Sequence, residues 1–140
     1  MSVFFDKIKN FIGFRDTFND IIISTKIIQK ITDLPKETHP KEFLAFFEGK
    51  IGKDIIINDI FYQPYLANDH SASPRLDIPL TTNTIGSIHS HPSFSNRPSR
   101  ADRRFFRKNG IVHAIIKYPY NKEDIAFYNN HGEPIEVKII

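Results

Sequence analysis

Two histidines and an aspartate within a stretch of fourteen residues form the most chemically informative pattern in the sequence. His89 and His91 end an apolar run, and Asp102 follows a short segment rich in serine and proline. Side chains two apart in an extended strand point the same way, so both imidazoles can face one side. Asp102 falls in the first turn of the next predicted helix and can add an oxygen ligand. Two histidines and a carboxylate with a free fourth position commonly hold catalytic zinc.

Each part of this pattern also has a simpler interpretation. A His-x-His pair usually consists of two unrelated histidines. Ser99 and Asp102 have the spacing of a capping box, in which the acid reaches back to the backbone of the capping residue. The chain has no cysteine, so any metal site must be built from His, Asp or Glu. The other histidines lack ligand spacing: His113 is expected in or near the core, and the predicted surface set is His39, His70 and His131.

The whole segment from His89 to Asp102 resembles the motif of the JAMM metalloproteases, also called the MPN-plus or JAB-domain family. That motif is a distant glutamate followed by His-x-His-Pro, six residues and Ser-x-x-Asp, and each of these fixed positions is filled here at the family spacing. The preceding strand, Ile85-Gly86-Ser87-Ile88, and the Arg-Pro approach to Ser99 are also similar to the family. The resemblance covers residues 20 to 140 and is greatest to the compact archaeal members.

The resemblance implies a role for each matching residue. His89, His91 and Asp102 would hold one zinc ion per chain. Ser99 would hydrogen-bond the substrate carbonyl or the tetrahedral intermediate. The distant glutamate would be the general base, which takes a proton from the metal-activated water and gives it to the leaving amine.

Three glutamates upstream of the motif are candidates for that base: Glu37, Glu42 and Glu48. The family's glutamate lies at the start of a helix in a His-Pro-x-Glu context, which the segment ending at Glu42 matches. Glu42 is therefore assigned as the base through the resemblance. Glu48 has similarly apolar neighbours, and an exposed acid stabilised by the helix dipole is the simpler interpretation of Glu42.

These roles imply a zinc-dependent isopeptidase or peptidase that hydrolyses an amide bond at the C-terminus of a ubiquitin-like modifier. An alternative within the family is a peptidase that processes a sulfur-carrier protein. A non-catalytic MPN scaffold is a third hypothesis, although such modules have lost metal ligands that this chain keeps. A zinc phosphoesterase or nuclease is a fourth, but the sequence offers no further Asp/His cluster for a second metal ion.

Basic residues are spaced to share one face of the helix that carries Asp102, and we call them the basic stripe: Arg100, Arg103, Arg104, Arg107 and Lys108. Phe105 and Phe106 would then turn inward. The simpler interpretation of the stripe is a solvated helix face. The functional alternative is a docking surface for an acidic protein substrate beside the active site, with the four arginines as substrate-binding candidates.

The elements around the motif indicate an α/β domain with a central mixed sheet flanked by helices. The resemblance implies the JAB/MPN fold, which is cytidine-deaminase-like. Helices are predicted at residues 25–33, 38–49 and 99–109, with Pro35 ending the first of them. A long polar surface connection is predicted at residues 63–82, and strands are predicted at residues 20–24, 53–61, 84–89, 111–118, 125–129 and 134–140.

Size and composition favour a single folded domain, since the chain has 140 residues of which 40% are hydrophobic. We assign residues 19–140 to the catalytic domain and residues 1–18 to an amphipathic helix that packs on it or on a second copy. The formal charge of +3 does not identify a nucleic-acid binder. No signal peptide or membrane-spanning run is apparent. The expectation is a cytoplasmic protein without nucleic-acid or membrane partners.

Overall fold

The computed structural model describes residues 19–62 and 83–140. The N-terminal helix predicted at residues 1–18, the connection predicted at residues 63–82 and His70 lie outside the described residues. The described elements in chain order are β1 (Ile21–Ile23), α1 (Thr25–Thr38), β2 (Leu44–Ile51), β3 (Ile55–Tyr62), β4 (Thr84–His91), α2 (Arg100–Lys108), β5 (Val112–Lys117), a 3₁₀ turn (Lys122–Asp124), β6 (Ile125–Tyr128) and β7 (Lys138–Ile139).

The strands of the described ranges form one mixed seven-stranded sheet in the order β6-β5-β4-β2-β3-β1-β7. Strand β4 runs parallel to β5 and antiparallel to β2. A parallel pair needs a crossover, and the loop after β4 together with α2 supplies it. The predicted α/β fold with a central mixed sheet and flanking helices is therefore confirmed.

The two helices cover opposite faces of the sheet. Helix α1 buries Ile27, Ile28 and Ile31 in the main core, together with alternate residues of β2 such as Phe47. On the other face, Phe106 of α2 is fully buried and forms a smaller cluster with Ile115 and Tyr128. Burying one such large apolar side chain contributes roughly 1.5–3 kcal/mol, so α2 is fixed on the sheet mainly by Phe106.

The predicted helix at residues 38–49 is wrong, because this segment enters strand β2. Strand β2 pairs with both β3 and β4, and so it lies inside the sheet. Ala45 and Phe47 face the main core, while Phe46 contacts Phe61 and Phe105 on the opposite face. A strand covered on both faces is apolar at every position, and this pattern cannot be distinguished by periodicity from a buried helix.

Two element ends also differ from the predictions. Helix α1 continues through Pro35 to Thr38, and the Pro35 carbonyl accepts the His39 N–H at 2.9 Å. A proline this close to the end of a helix therefore does not prevent the chain from completing its last turn. The last predicted strand is reduced to Lys138–Ile139 and a single bridge between Pro134 and Tyr128. In the described ranges no helix has the length and apolar character needed to cross a bilayer.

Candidate metal centre

The two histidines lie at the C-terminal end of strand β4, on the face of the sheet that α2 covers. His89 and His91 are two residues apart in the strand, and their rings lie on the same face with centroids 5.0 Å apart. His89 is buried and its ring is 6.3 Å from that of Phe106. His91 is half-buried at the last position of the strand. The predicted convergence of the two imidazoles is confirmed.

Helix α2 brings in the carboxylate through its N-terminal cap. The Ser99 hydroxyl accepts the Asp102 N–H at 3.0 Å, and Asp102 Oδ2 accepts the Ser99 N–H at 2.8 Å. This is the capping box that the spacing suggested. It does not compete with a ligand role, because the same hydrogen bonds fix the carboxylate of Asp102 in the direction of the histidines.

The three side chains converge on one point, and we call His89, His91 and Asp102 the triangle. The Nε2 atoms of His89 and His91 are 3.1 Å apart. Asp102 Oδ1 is 3.2 Å from His89 Nε2, and Oδ2 is 3.3 Å from His91 Nε2. Four ligand atoms placed about 2.0–2.1 Å from a tetrahedral ion would be separated by about 3.3 Å. The observed separations are close to that value, and these three groups could hold a metal ion.

The hydrogen bond made by the other ring nitrogen of His91, Nδ1, suits a metal-ligand role for Nε2. His91 Nδ1 lies 3.0 Å from the Ser95 carbonyl oxygen, which can only accept. Nδ1 must therefore carry a proton and donate it, which in the neutral ring leaves the Nε2 lone pair free to bind a metal. Metal-binding histidines are commonly oriented in this way by a carbonyl or a carboxylate.

The charges of the triangle support one another. Burial raises the pKa of Asp102, but hydrogen bonds with His89 and His91 outweigh it and hold that pKa well below the usual range. Burial lowers the pKa of His91, but its hydrogen bond to Asp102, together with Ser95 and the charge of Glu42, moves the net pKa above its ordinary value. Asp102 is therefore a carboxylate, and the site attracts positive charge.

Glu42 precedes strand β2 instead of opening a helix, and strand pairing indicates where it lies. Leu44 pairs with His89 in the antiparallel ladder, and the Phe43 N–H donates to Ser90 Oγ at 2.8 Å. Continuing this register places Glu42 opposite His91. The charge of Glu42 contributes to the raised pKa of His91, which agrees with that position.

The other two candidate glutamates lie elsewhere. Glu48 pairs with Thr84, at the opposite end of β4 from the histidines. Glu37 is in the last turn of α1, and its charge, after burial, raises the pKa of Tyr62. Strand pairing thus favours Glu42 over Glu48 as a neighbour of the triangle, and the charge of Glu37 acts on Tyr62.

The basic stripe is exposed along α2, as the spacing predicted, with Phe106 fully buried and Phe105 partly so beneath it. Arg103 differs from the other members because its side chain lies against Gly132. Burial raises the pKa of the nearby Tyr128 above its ordinary value, and the charges of Arg97 and Arg103 offset this rise only in part. Arg103 therefore also contributes to packing.

His113 is fully buried, as predicted, and His39 and His131 are exposed.

Several contacts around the triangle could not be predicted from the sequence. The loop after β4 is held by the Asn96 side chain, which donates to the Asp124 carbonyl at 2.9 Å. Tyr128 donates from its hydroxyl to the Asn96 carbonyl at 2.7 Å. His39, Tyr118 and Tyr120 form an aromatic group, and the Tyr118 N–H lies 3.2 Å from the carbonyl oxygen of His91. Their partners lie 28 to 81 residues away in the chain, so no local spacing could have indicated them.

Comparisons with known proteins agree with this geometry. Residues 24–130 match the family model described as prokaryotic homologs of the JAB domain. A probable metalloprotease from Haloferax volcanii is 34% identical over 113 residues, which is 74% of this chain and 70% of that protein.

Two solved structures are similar over most of the chain. One, described as "JAMM: A Metalloprotease-like Zinc Site in the Proteasome and Signalosome", has a TM-score of 0.69 and 28% identity over 87% of this chain and 99% of its own. The other, a JAB1/MPN domain protein from Archaeoglobus fulgidus, has a TM-score of 0.67 and 30% identity over 86% of this chain and 99% of its own.

The fold and the site together define a JAMM-type metalloprotease domain. The chain belongs to the family of prokaryotic JAB-domain proteins, and the predicted resemblance, including that to archaeal members, is confirmed. The triangle of two histidines and an aspartate is its candidate zinc site.

Proposed function

We propose that this protein is a zinc-dependent isopeptidase or peptidase that hydrolyses an amide bond at the C-terminus of a small ubiquitin-like modifier. The observation that carries the proposal is the convergence of His89, His91 and Asp102. The strand register, continued from the Leu44–His89 pair, supports Glu42 as the base beside His91. One zinc ion per chain would lower the pKa of a water molecule towards ~7 and polarise the substrate carbonyl.

The protein groups supply the proton transfers and the orientation. Glu42 accepts a proton from the attacking water and passes it to the leaving nitrogen, which departs as an amine. Ser99 accepts the Asp102 N–H with a lone pair of its Oγ. The Ser99 hydroxyl proton can therefore be donated to the substrate oxygen, where negative charge develops. Asp102 and the two histidines remain oriented by the capping box and by the Ser95 carbonyl.

The nature of the substrate is the less direct part of the proposal. The exposed arginines of the basic stripe lie on the helix that supplies Asp102, so an acidic modifier bound there would be beside the site. A sulfur-carrier protein would present a similar tail and is the alternative substrate. A two-metal phosphoesterase is disfavoured, because His89, His91 and Asp102 form the single candidate metal cluster among the described residues.

The direct test compares glutamate variants for cleavage of a modifier joined through its C-terminus to an amine. Glu42→Gln should keep zinc and lose activity by about 10²–10⁴-fold, because an amide cannot accept the proton. Glu48→Gln is the matched control and should retain activity. Full activity of Glu42→Gln would remove the assigned base. Absence of cleavage of every modifier conjugate or precursor by the zinc-loaded wild type would contradict the enzymatic proposal.

The basic stripe has a separate test. Charge reversal of Arg104 and Arg107 should raise KM with little change in kcat, because these side chains contact substrate and transition state alike. The effect should shrink at high salt, as expected for exposed charges. Arg103 is left unchanged in this test because it packs against Gly132. Equal KM values for the wild type and the variant at low salt would return the stripe to the role of a solvated helix face.

A further inference from the structure

A row of three exposed aromatic side chains lies at the end of β4 and β5, next to the backbone of His91. His39 stacks on Tyr118 with ring centroids 4.8 Å apart, and Phe94 meets the edge of Tyr118 at 5.6 Å. Phe94 is 77% exposed, the highest value among the large hydrophobic residues of the described ranges, and Tyr118 is 38% exposed. We call His39, Tyr118 and Phe94 the aromatic row.

The row is held in place from below. Tyr120 is buried under it, and its hydroxyl is 2.6 Å from His39 Nδ1. The Tyr118 N–H lies 3.0 Å from the Ser93 carbonyl and 3.2 Å from the His91 carbonyl. The position of Tyr118 is therefore tied directly to a candidate metal ligand. Exposed rings that are already ordered lose little conformational freedom when a ligand packs on them.

The row also adjoins the assigned general base. Glu42 follows His39 by three residues, and its charge, after burial and Tyr118, contributes to the raised pKa of Tyr120. In the proposed reaction, water adds to the carbonyl carbon, the C–N bond breaks, and the nitrogen takes the proton carried by Glu42. The leaving nitrogen must therefore be within hydrogen-bonding reach of Glu42, and the aromatic row is the candidate surface for the group attached to it.

We infer that the aromatic row is the subsite for the amine side of the scissile bond, and that it selects the aliphatic stem of a lysine over a peptide backbone. This inference rests on the proposed function and makes that function more specific, since it favours an isopeptide bond. The four methylene groups of a lysine pack well on aromatic rings. After cleavage, the ammonium group is attracted to the ring faces and to the carboxylate of Glu42.

A linear peptide would fit the row less well. Beyond the scissile bond it presents a backbone N–H and C=O at every residue, and these groups need hydrogen-bond partners when they leave water. The exposed rings of Tyr118 and Phe94 offer apolar faces and edges instead. The row thus favours a chain without polar groups over its first four carbon atoms, which is what a lysine side chain supplies.

The test uses two substrates that differ only in the amine. One carries the modifier on the Nε atom of a blocked lysine, and the other carries it on the Nα atom of an alanine amide. Phe94→Ala and Tyr118→Ala should each lower kcat/KM for the lysine conjugate by about tenfold, and for the alanine conjugate by less than about twofold. Ile56→Ala is the control, because Ile56 is also exposed but lies on β3.

A binding measurement separates this inference from the proposed enzymatic activity. Nα-acetyl-lysine methylamide is titrated into the protein while the ring signals of Phe94 and Tyr118 are followed by NMR, with the norleucine analogue as a probe of the stem alone. Shifts confined to the row support the inference. Equal losses on both conjugates, or no loss on either, would overturn it. If the wild type cleaves neither conjugate, the proposed function fails and the titration alone decides: absence of shifts then overturns the subsite.

Discussion

Two buried histidines on neighbouring strands have opposite chemical surroundings. His89 on β4 and His113 on β5 both face helix α2, and the ring of Phe106 lies 6.3 Å from the first and 4.3 Å from the second. His113 Nε2 donates to the Gly110 carbonyl at 3.0 Å, and its Nδ1 accepts from the Ser87 hydroxyl at 2.7 Å. Each ring nitrogen of His113 thus has a partner suited to a neutral imidazole.

His89 and His91 of the candidate metal centre lack such complementary hydrogen-bond partners at their Nε2 atoms. Two Nε2 atoms approach within 3.1 Å of one another and share the same carboxylate. A single proton can satisfy one contact at a time, whereas a cation satisfies all three. Burial alone therefore does not mark a functional histidine. What matters is whether its partners complement a neutral ring or converge with it on one point.

The largest expected effect is the loss of metal when the triangle is broken. Asp102→Asn keeps an oxygen that can accept the Ser99 N–H, so the capping box survives while the charge is removed. We expect zinc affinity to fall by more than about 100-fold, beyond the loss typical of groups that only orient a ligand. Chelator competition measures the affinity, and thermal unfolding of the zinc-free protein checks the fold. Unchanged zinc affinity would show that Asp102 serves the helix cap alone.

His113→Gln is the matched control for Asp102→Asn. It removes a buried imidazole from the same face of the sheet, but from outside the triangle. This variant should bind zinc with nearly the affinity of the wild type, although it is less stable. A loss as large as that of Asp102→Asn would mean that the two histidine environments are not independent.

The metal triangle could be predicted from the sequence because its geometry is local. One strand and the following helix supply the three groups, and strand periodicity and helix capping place them. Glu42 depended on the resemblance, and its secondary structure was predicted wrongly. Its position is set by pairing of β2 with β4, which is a contact between residues more than forty positions apart. The core packing of β2 on both faces, which decides strand over helix, is likewise invisible in one segment.

The aromatic row and the contact that holds the loop after β4, between Asn96 and Asp124, could not be predicted for the same reason. Tyr118 and His39 come from opposite ends of the domain sequence and meet only after the sheet has formed. Asn96 looked like an ordinary loop residue, and only the fold supplies its partner, the Asp124 carbonyl. The spacing and the family resemblance thus indicated the metal ligands, while the residues that orient them required the tertiary structure.

A further prediction concerns the pH dependence of stability and the buried His113. Burial lowers the pKa of His113 to about 4, from 6.5. Between these values the unfolded state binds the proton and the folded state does not, so stability falls as the pH decreases from 6.5 towards 4. The full effect is about 3 kcal/mol. Urea unfolding of the zinc-free protein at pH 7 and pH 4.5 should show a flatter pH dependence for His113→Gln. Parallel slopes for the two proteins would contradict the neutral assignment of His113.

The prediction with the smallest effect concerns the loop after β4, which orients His91. The Ser95 carbonyl accepts from His91 Nδ1, and the next residue, Asn96, is held by the Tyr128 hydroxyl at 2.7 Å. Tyr128→Phe removes that bond but leaves the buried ring, so the loop should sample positions in which Ser95 no longer holds the Nδ1 proton. Outer partners that contact a ligand directly are worth about 10–100-fold in metal affinity.

Because Tyr128 acts one step further out, Tyr128→Phe should weaken zinc binding by roughly threefold to tenfold. ¹⁵N NMR of the zinc-free protein should show a smaller population of the Nδ1–H form of His91, which a general loss of stability would not produce. Tyr120→Phe is the control: it removes another buried hydroxyl, whose partner is His39, and should leave both readouts unchanged. Equal zinc affinity for Tyr128→Phe and the wild type would mean that Asn96 and the Asp124 carbonyl hold the loop without help from Tyr128. The orientation of His91 would then depend on strand β4 and its own loop alone, as that of His113 depends on Ser87 and Gly110.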